Sequence, residues 1–212
     1  MILKFCGNRS LVDYKLSIQS LATHIGFLFY HGSPRFVEPH DVVDWVKKHP
    51  PRPGQMLVGV FVHPKKGDVL HAMKTVDLDI LQFHGRETPD FVRDIKHETG
   101  VNVWKAIHHG PEALDKMRLF KGIADGWIID CGVKGQWGGT GQSFDWHAVP
   151  DYLREAESQR VPCLIAGGIT PENIERLLVF NPDGVDLASG IEKNGRKDAA
   201  RMKAVERKVM KK

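Results

Sequence analysis

Two residues stand where proton transfer could occur. Cys6 is followed at once by Gly7, and Asp130 closes the apolar run Gly126-Trp127-Ile128-Ile129. A thiol and a carboxyl group serve as general base and general acid when both reach neighbouring atoms of one substrate. His63, His84 and His108 also follow short apolar runs. Imidazoles converging with carboxylates could hold a metal ion, although single histidines at such positions are commonly half-exposed and uncoordinated. Gly167-Gly168 and Ser189-Gly190 follow two further runs. Small residues there let backbone N–H groups approach an anion, although tight turns use the same residues.

These residues become a site only if secondary structure brings them together. Short β-type runs are read at Ile2–Cys6, Ile25–Tyr30, Leu57–Val62, Ile80–Phe83, Asn102–Ile107, Gly126–Asp130, Pro162–Ala166 and Val185–Ala188. Amphipathic helices are read between them, near Leu11–Thr23, Glu38–His49, Lys65–Thr75, Pro89–Glu98, Pro111–Phe120 and Trp146–Ser158. A seventh opens at Thr170-Pro171-Glu172-Asn173, with Thr170 as cap and Pro171 in the first helical position. The last covers Lys197–Lys211. Strict alternation implies parallel strands and right-handed crossovers. Eight units favour a single α/β domain over residues 1–212, a closed (β/α)8 TIM barrel; an open doubly wound sheet is the alternative.

In such a barrel chemistry sits at the C-terminal strand ends, with phosphate commonly held after strands seven and eight. Cys6 then ends strand one and Asp130 strand six, flanking the two glycine loops on the short arc of the ring. Lys4 shares the strand face of Cys6. Its charge is expected to favour thiolate in a residue whose ordinary pKa of about 8.5 leaves it mostly neutral. Without that placement, Cys6 reads as a small core residue and Asp130 as a loop cap or a partner of Lys134.

The bulk properties limit the remaining choices. With 42% apolar and 26% charged residues the chain is not a disordered one. Three cysteines lacking CxxC spacing argue against a disulfide framework or structural zinc. The net charge of +4 gathers between Arg201 and Lys212 without interleaved aromatics, which suits a helix end better than a nucleic-acid surface. There is no signal-peptide or membrane-spanning run. A soluble cytoplasmic protein acting on a small molecule is expected, with no nucleic acid, membrane or obligate protein partner.

An ordered set of motifs goes further. Lys4-Phe5-Cys6-Gly7, Gly26-Phe27-Leu28-Phe29-Tyr30, Leu81-Gln82-Phe83-His84-Gly85 and Gly138-Gly139-Thr140-Gly141 are followed by Phe144-Asp145-Trp146. Ala166 to Ile174 (AGGITPENI) and Val185 to Glu192 (VDLASGIE) complete the set. Together they resemble phosphoribosylanthranilate isomerase of tryptophan biosynthesis, in the Bacillus-type variant that carries Arg9-Ser10 after Cys-Gly. The resemblance implies an aldose–ketose isomerase without cofactor or metal, acting in the third step from chorismate. It would convert N-(5′-phosphoribosyl)anthranilate to 1-(2-carboxyphenylamino)-1-deoxyribulose 5-phosphate by an Amadori rearrangement. By the same match Asp130 protonates the ring oxygen and Cys6 takes the C2′ proton. Asp130 is then expected to have a raised pKa in the liganded site, with Cys6 tuned the other way.

Arg35 matches the arginine that faces the anthranilate carboxylate, and Asp186 an aspartate near the sugar hydroxyls. Gln82 and His84 match mouth-lining positions. Gly167, Gly168, Ser189 and Gly190 would hold the phosphate. Where many members have threonine, this chain has Asn8-Arg9-Ser10, and Ser10 is read as a cap of the first helix. The rival enzyme is a metal-dependent sugar-phosphate epimerase on the same barrel, using the three histidines. The indole-forming synthase of the same pathway fits less well, since it uses a lysine acid and an extra N-terminal segment, whereas strand one is read from residue 2.

Overall fold

Period-two alternation divides each strand of this protein between two environments. In the computed structural model, which describes residues 1–131 and 144–211, Leu3, Phe5, Ile25, Phe27, Leu81, Phe83, Ile129 and Val185 face outward into one core beneath the helices. Val58, Val60, Ile80, Trp104, Ala106, Ile128, Leu164 and Ala166 form a second core. That split is what parallel strands covered on both faces require.

The eight strands are β1 (Ile2–Phe5), β2 (His24–Leu28), β3 (Met56–Phe61), β4 (Ile80–Phe83), β5 (Asn102–His108), β6 (Gly126–Asp130), β7 (Cys163–Ile165) and β8 (Gly184–Leu187). All pair in parallel in sequence order, and β1 closes the ring by pairing with β8. The helices are α1 (Leu11–Gln19), α2 (Pro39–Lys48), α3 (Lys66–Thr75), α4 (Pro89–Thr99), α5 (Ala113–Leu119), α6 (Val149–Gln159), α7 (Ile174–Leu178) and α8 (Ala199–Met210). This is the (β/α)8 barrel expected from alternation, not the open sheet. The Gly138-Gly139-Thr140-Gly141 motif and the reading of Lys134 as a partner of Asp130 lie outside the described residues.

Local signals explain several boundaries. Ser10 caps α1 by accepting from the Asp13 N–H, as read from sequence. Gly100 ends α4 in the left-handed region, with φ 70°. α1 stops at Gln19, short of the expected Thr23, because Ser20 Oγ donates to the Ser17 carbonyl and accepts from the Ala22 N–H.

The helix after β7 is also corrected. Thr170-Pro171 does not begin it, and α7 starts at Ile174. Asn173 diverts the intervening turn: its Oδ1 accepts from the Thr170 N–H and its amide donates to the Gly168 carbonyl. The turn is thereby tied to a glycine loop at the barrel mouth.

A two-stranded hairpin, β9 (Glu192–Lys193) and β10 (Arg196–Lys197), was not read from the sequence. Asn194 and Gly195 form its tip with φ 52° and 71°. An Asn-Gly pair at this position is the strongest short-range hairpin signal a sequence carries.

Candidate active site

The C-terminal rim gathers all ten candidate residues around one cavity. Cys6, Arg35, Gln82, His84, Asp130, Gly167, Gly168, Asp186, Ser189 and Gly190 all line it. Barrel closure accounts for this, since β6, β7, β8 and β1 are consecutive around the ring. Cys6 lies just past β1, its N–H donating to the Leu187 carbonyl at 2.8 Å. Asp130 is the last residue of β6.

Two glycines are required by close approach. Gly167 has φ 80°, and a Cβ there would overlap Asp130 Oδ1 and crowd the Cys131 N–H at 2.6 Å. Gly190 belongs to a 3-10 turn, Ser189–Ile191, and a Cβ there would overlap the Ile169 carbonyl oxygen. Backbone cannot yield as a flexible side chain can. Gly190→Ala is therefore expected to shift the β8 loop away from the β7 loop. Isothermal titration with inorganic phosphate, the anion expected at these two loops, should then show affinity weakened by at least about tenfold, the equivalent of ~1.4 kcal/mol.

Asp130 is buried among donors. The Cys131 N–H donates to Oδ1 at 2.7 Å, and His84 Nε2 lies 3.2 Å from Oδ2. Burial pushes the carboxyl up, but His84, the Cys131 N–H and the His108 charge together hold it below the ordinary carboxylate range. The raised value expected for the liganded site therefore has to come from the ligand.

Cys6 corrects an expectation. Lys4 lies on its strand face as anticipated, yet burial dominates and the thiol sits above its ordinary value. Lys4 and Lys197 pull it down, while Asp186 pushes it up. Lys4 is divided between two partners, because its Nζ donates to Asp186 Oδ2 at 2.8 Å. Strand register places that pair directly opposite, Lys4 on β1 against Asp186 on β8.

Arg35 reaches the cavity but is also engaged with protein. Its Nε and NH2 groups donate to the two Glu192 oxygens at 2.9 and 2.7 Å. Glu192 in turn accepts from Lys197 Nζ at 3.0 Å. Neither Glu192 nor Lys197 was singled out as a functional residue, although Glu192 closed one of the motifs. The Asn194-Gly195 turn could have indicated that the chain doubles back here. Gln82 Oε1 and Asp186 Oδ1 are buried acceptors with no hydrogen-bond partner among the described residues.

The histidines do not assemble the metal site of the rival reading. His63 Nδ1 accepts from the Arg86 N–H, His84 faces Asp130, and the His84 and His108 rings meet edge to face at 5.6 Å. Among the described residues no three His, Cys, Asp or Glu side chains converge as metal ligands do.

The sequence model of the N-(5'phosphoribosyl)anthranilate isomerase family matches residues 3–208. The chain belongs to that family. The isomerase of Geobacillus thermodenitrificans is 50% identical over 98% of this chain and 93% of its own length. That of Bacillus subtilis is 42% identical over 98% and 94%. The crystal structure of phosphoribosyl anthranilate isomerase from Thermotoga maritima superposes with a TM-score of 0.86 at 27% identity, covering all of both chains. A structure of such an isomerase with reduced 1-(o-carboxyphenylamino)-1-deoxyribulose 5-phosphate superposes with a TM-score of 0.82, again at 27% identity and full coverage of both chains. The isomerase family and its Bacillus-type relatives replace the epimerase alternative, which none of these comparisons supports.

Proposed function

We propose that residues 1–212 form one catalytic domain that isomerises N-(5′-phosphoribosyl)anthranilate in the third step of tryptophan biosynthesis from chorismate. The observation that carries the reading is the convergence of a thiol, a carboxyl group and two glycine loops on one cavity. The neighbour solved with a reduced form of the product, on the same fold, adds to it.

The reaction proceeds in two proton transfers. Asp130 donates to the furanose oxygen, the C1′–O bond breaks, and nitrogen lone-pair donation gives the protonated Schiff base. Cys6 removes the C2′ proton, and the electron pair forms the enolamine, which tautomerises to the ketone. Only protons and internal electron pairs move, so the residues named suffice without a redox cofactor. Gly167, Gly168, Ser189 and Gly190 receive the phosphate. Gln82 and Asp186 offer buried acceptors to the sugar hydroxyls, and His84 holds the acid beside them.

The productive protonation state is a minority one in the enzyme without substrate. It needs the proton on Asp130 and none on Cys6, whereas the carboxyl is shifted down and the thiol up. Both arrangements hold one proton, so their ratio does not change with pH. The profile of kcat/KM is therefore expected to be flat between the two pKa values. It should fall about tenfold per pH unit below the carboxyl value and above the thiol value. In the complex, water exclusion and the substrate's anionic groups favour the neutral carboxyl. The acid limb of kcat should then lie at higher pH than that of kcat/KM. Coincident acid limbs would contradict this tuning.

Arg35 binds the anthranilate carboxylate, for which its planar guanidinium provides paired donors. Arg35→Ala is expected to raise KM by about 10–100-fold with a smaller change in kcat, since charged hydrogen bonds contribute about 1.5–3 kcal/mol. Steady-state kinetics check the split.

No helix among the described residues is long and apolar enough to cross a membrane, and three free cysteines fit a reducing cytoplasm. The substrate is a small molecule, and no nucleic-acid, membrane or obligate protein partner is part of the proposal. The direct test supplies enzymatically generated phosphoribosylanthranilate and follows loss of its fluorescence. Turnover supports the assignment, and binding without turnover refutes it.

A further inference from the structure

We propose that Lys197 is a positioning residue whose single ammonium group ties the base-bearing strand end, the β8 loop and Arg35 into one frame. The proposal rests on the isomerase reading and assigns a role to a residue outside its proton transfers.

Lys197 Nζ meets Cys6 O at 2.6 Å, Glu192 Oε1 at 3.0 Å and Ala188 O at 3.3 Å. An ammonium has three donors and no acceptor, so its capacity is used fully. Its side chain is 1% exposed. Each acceptor belongs to a different part of the site. Cys6 is the base, Ala188 precedes the Ser189-Gly190 turn, and Glu192 accepts from Arg35 Nε and Nη2. The backbone of Lys197 is fixed as well, with its N–H donating to Asp13 Oδ1 at 3.1 Å. The hairpin that delivers Lys197 therefore acts as a brace across the rim.

The ammonium also contributes charge at the thiol. Cys6 is faced by Lys4 from β1, Asp186 from β8, Lys197 from β10 and Arg35 from the loop after β2, with Glu192 one contact further away. Asp186 answers Lys4, and Glu192 answers Arg35 and Lys197. Removing Lys197 leaves Glu192 and Asp186 with one fewer counter-charge near Cys6.

The test measures Cys6 alkylation by iodoacetamide against pH, resolved from Cys131 and Cys163 by peptide mass spectrometry, alongside kcat and KM. Lys197→Met should raise the pH midpoint of Cys6 alkylation by about one unit. It should lower kcat by about 10–100-fold, the scale of a misplaced reacting group, and raise KM through Arg35. Lys197→Arg keeps the charge but cannot place three donors at these three oxygens. It should keep the wild-type alkylation midpoint and still lose kcat, which makes it the deciding variant should Lys197→Met not fold. Wild-type kcat in either folded variant overturns the proposal, as does an unshifted midpoint in a folded Lys197→Met. Wild-type protein inactive on phosphoribosylanthranilate would refute the isomerase reading instead, while the alkylation midpoints still decide the role of Lys197.

Discussion

Asp130→Asn is expected to lower kcat by about 10²–10⁴-fold with little change in the unfolding midpoint. The substituted amide is nearly the same size and keeps an oxygen that can accept from the Cys131 N–H, as Oδ1 does now. What it loses is the transferable proton, so ring opening has to draw one from water. Cys6→Ala should give a loss of similar size at the C2′ step, and it should also remove the acid limb of kcat/KM, leaving a profile that falls above the carboxyl value because only the need for a protonated Asp130 remains. The double variant should be scarcely worse than the poorer single one, because residues serving one reaction sequence do not contribute additively. Near-normal turnover in Asp130→Asn would require another acid, and the carboxyl would then be left with only a structural contact to His84.

Lys4→Met should cost about 3–5 kcal/mol of stability, read from urea denaturation. Lys4 is fully buried, and its ion pair with Asp186 closes the seam between the first and last barrel strands. Removing the ammonium leaves the Asp186 carboxylate, itself only 9% exposed, without the charge that offset its desolvation. The contrast with the double replacement Lys4→Met/Asp186→Leu is informative. Exchanging a whole buried ion pair for apolar side chains is commonly neutral or stabilising, so the double variant should recover most of the lost stability. It should remain catalytically weak, because the sugar-facing acceptor has gone with the pair. A single Lys4→Met variant as stable as wild type would mean that the seam does not depend on this charge.

The barrel was legible because each strand is a short apolar run, each helix has one apolar stripe, and prolines and glycines mark the joins. The strand ends gave Cys6 and Asp130 by position, and the phosphate loops by their small residues. Two kinds of information were missing. The first is side-chain partnership: nothing in the spacing of Arg35 indicates that Glu192, 157 residues away, accepts from two of its three guanidinium nitrogens. The second is the balance between burial and charge. Lys4 beneath Cys6 suggested an acidic thiol, but the same barrel interior that brings the ammonium close also removes water, and burial is the larger effect. The start of the seventh helix was misread for a related reason. Thr-Pro is a good helix opening locally, yet Asn173 is recruited to fix Gly168 at the mouth.

The strand that leads into the catalytic thiol is the first of the barrel, and its neighbour on one side is the eighth. Lys4 and Asp186 are 182 residues apart in the chain, and Lys197 and Cys6 are 191 apart. No nascent chain short of that hairpin can complete the cavity, however well its earlier units have folded. Contacts of such long sequence separation also slow folding, since loop-closure entropy is lost before the contact forms. The sulfur therefore stays uncovered until the eighth strand and the hairpin after it have docked, and competence for turnover waits on that closure.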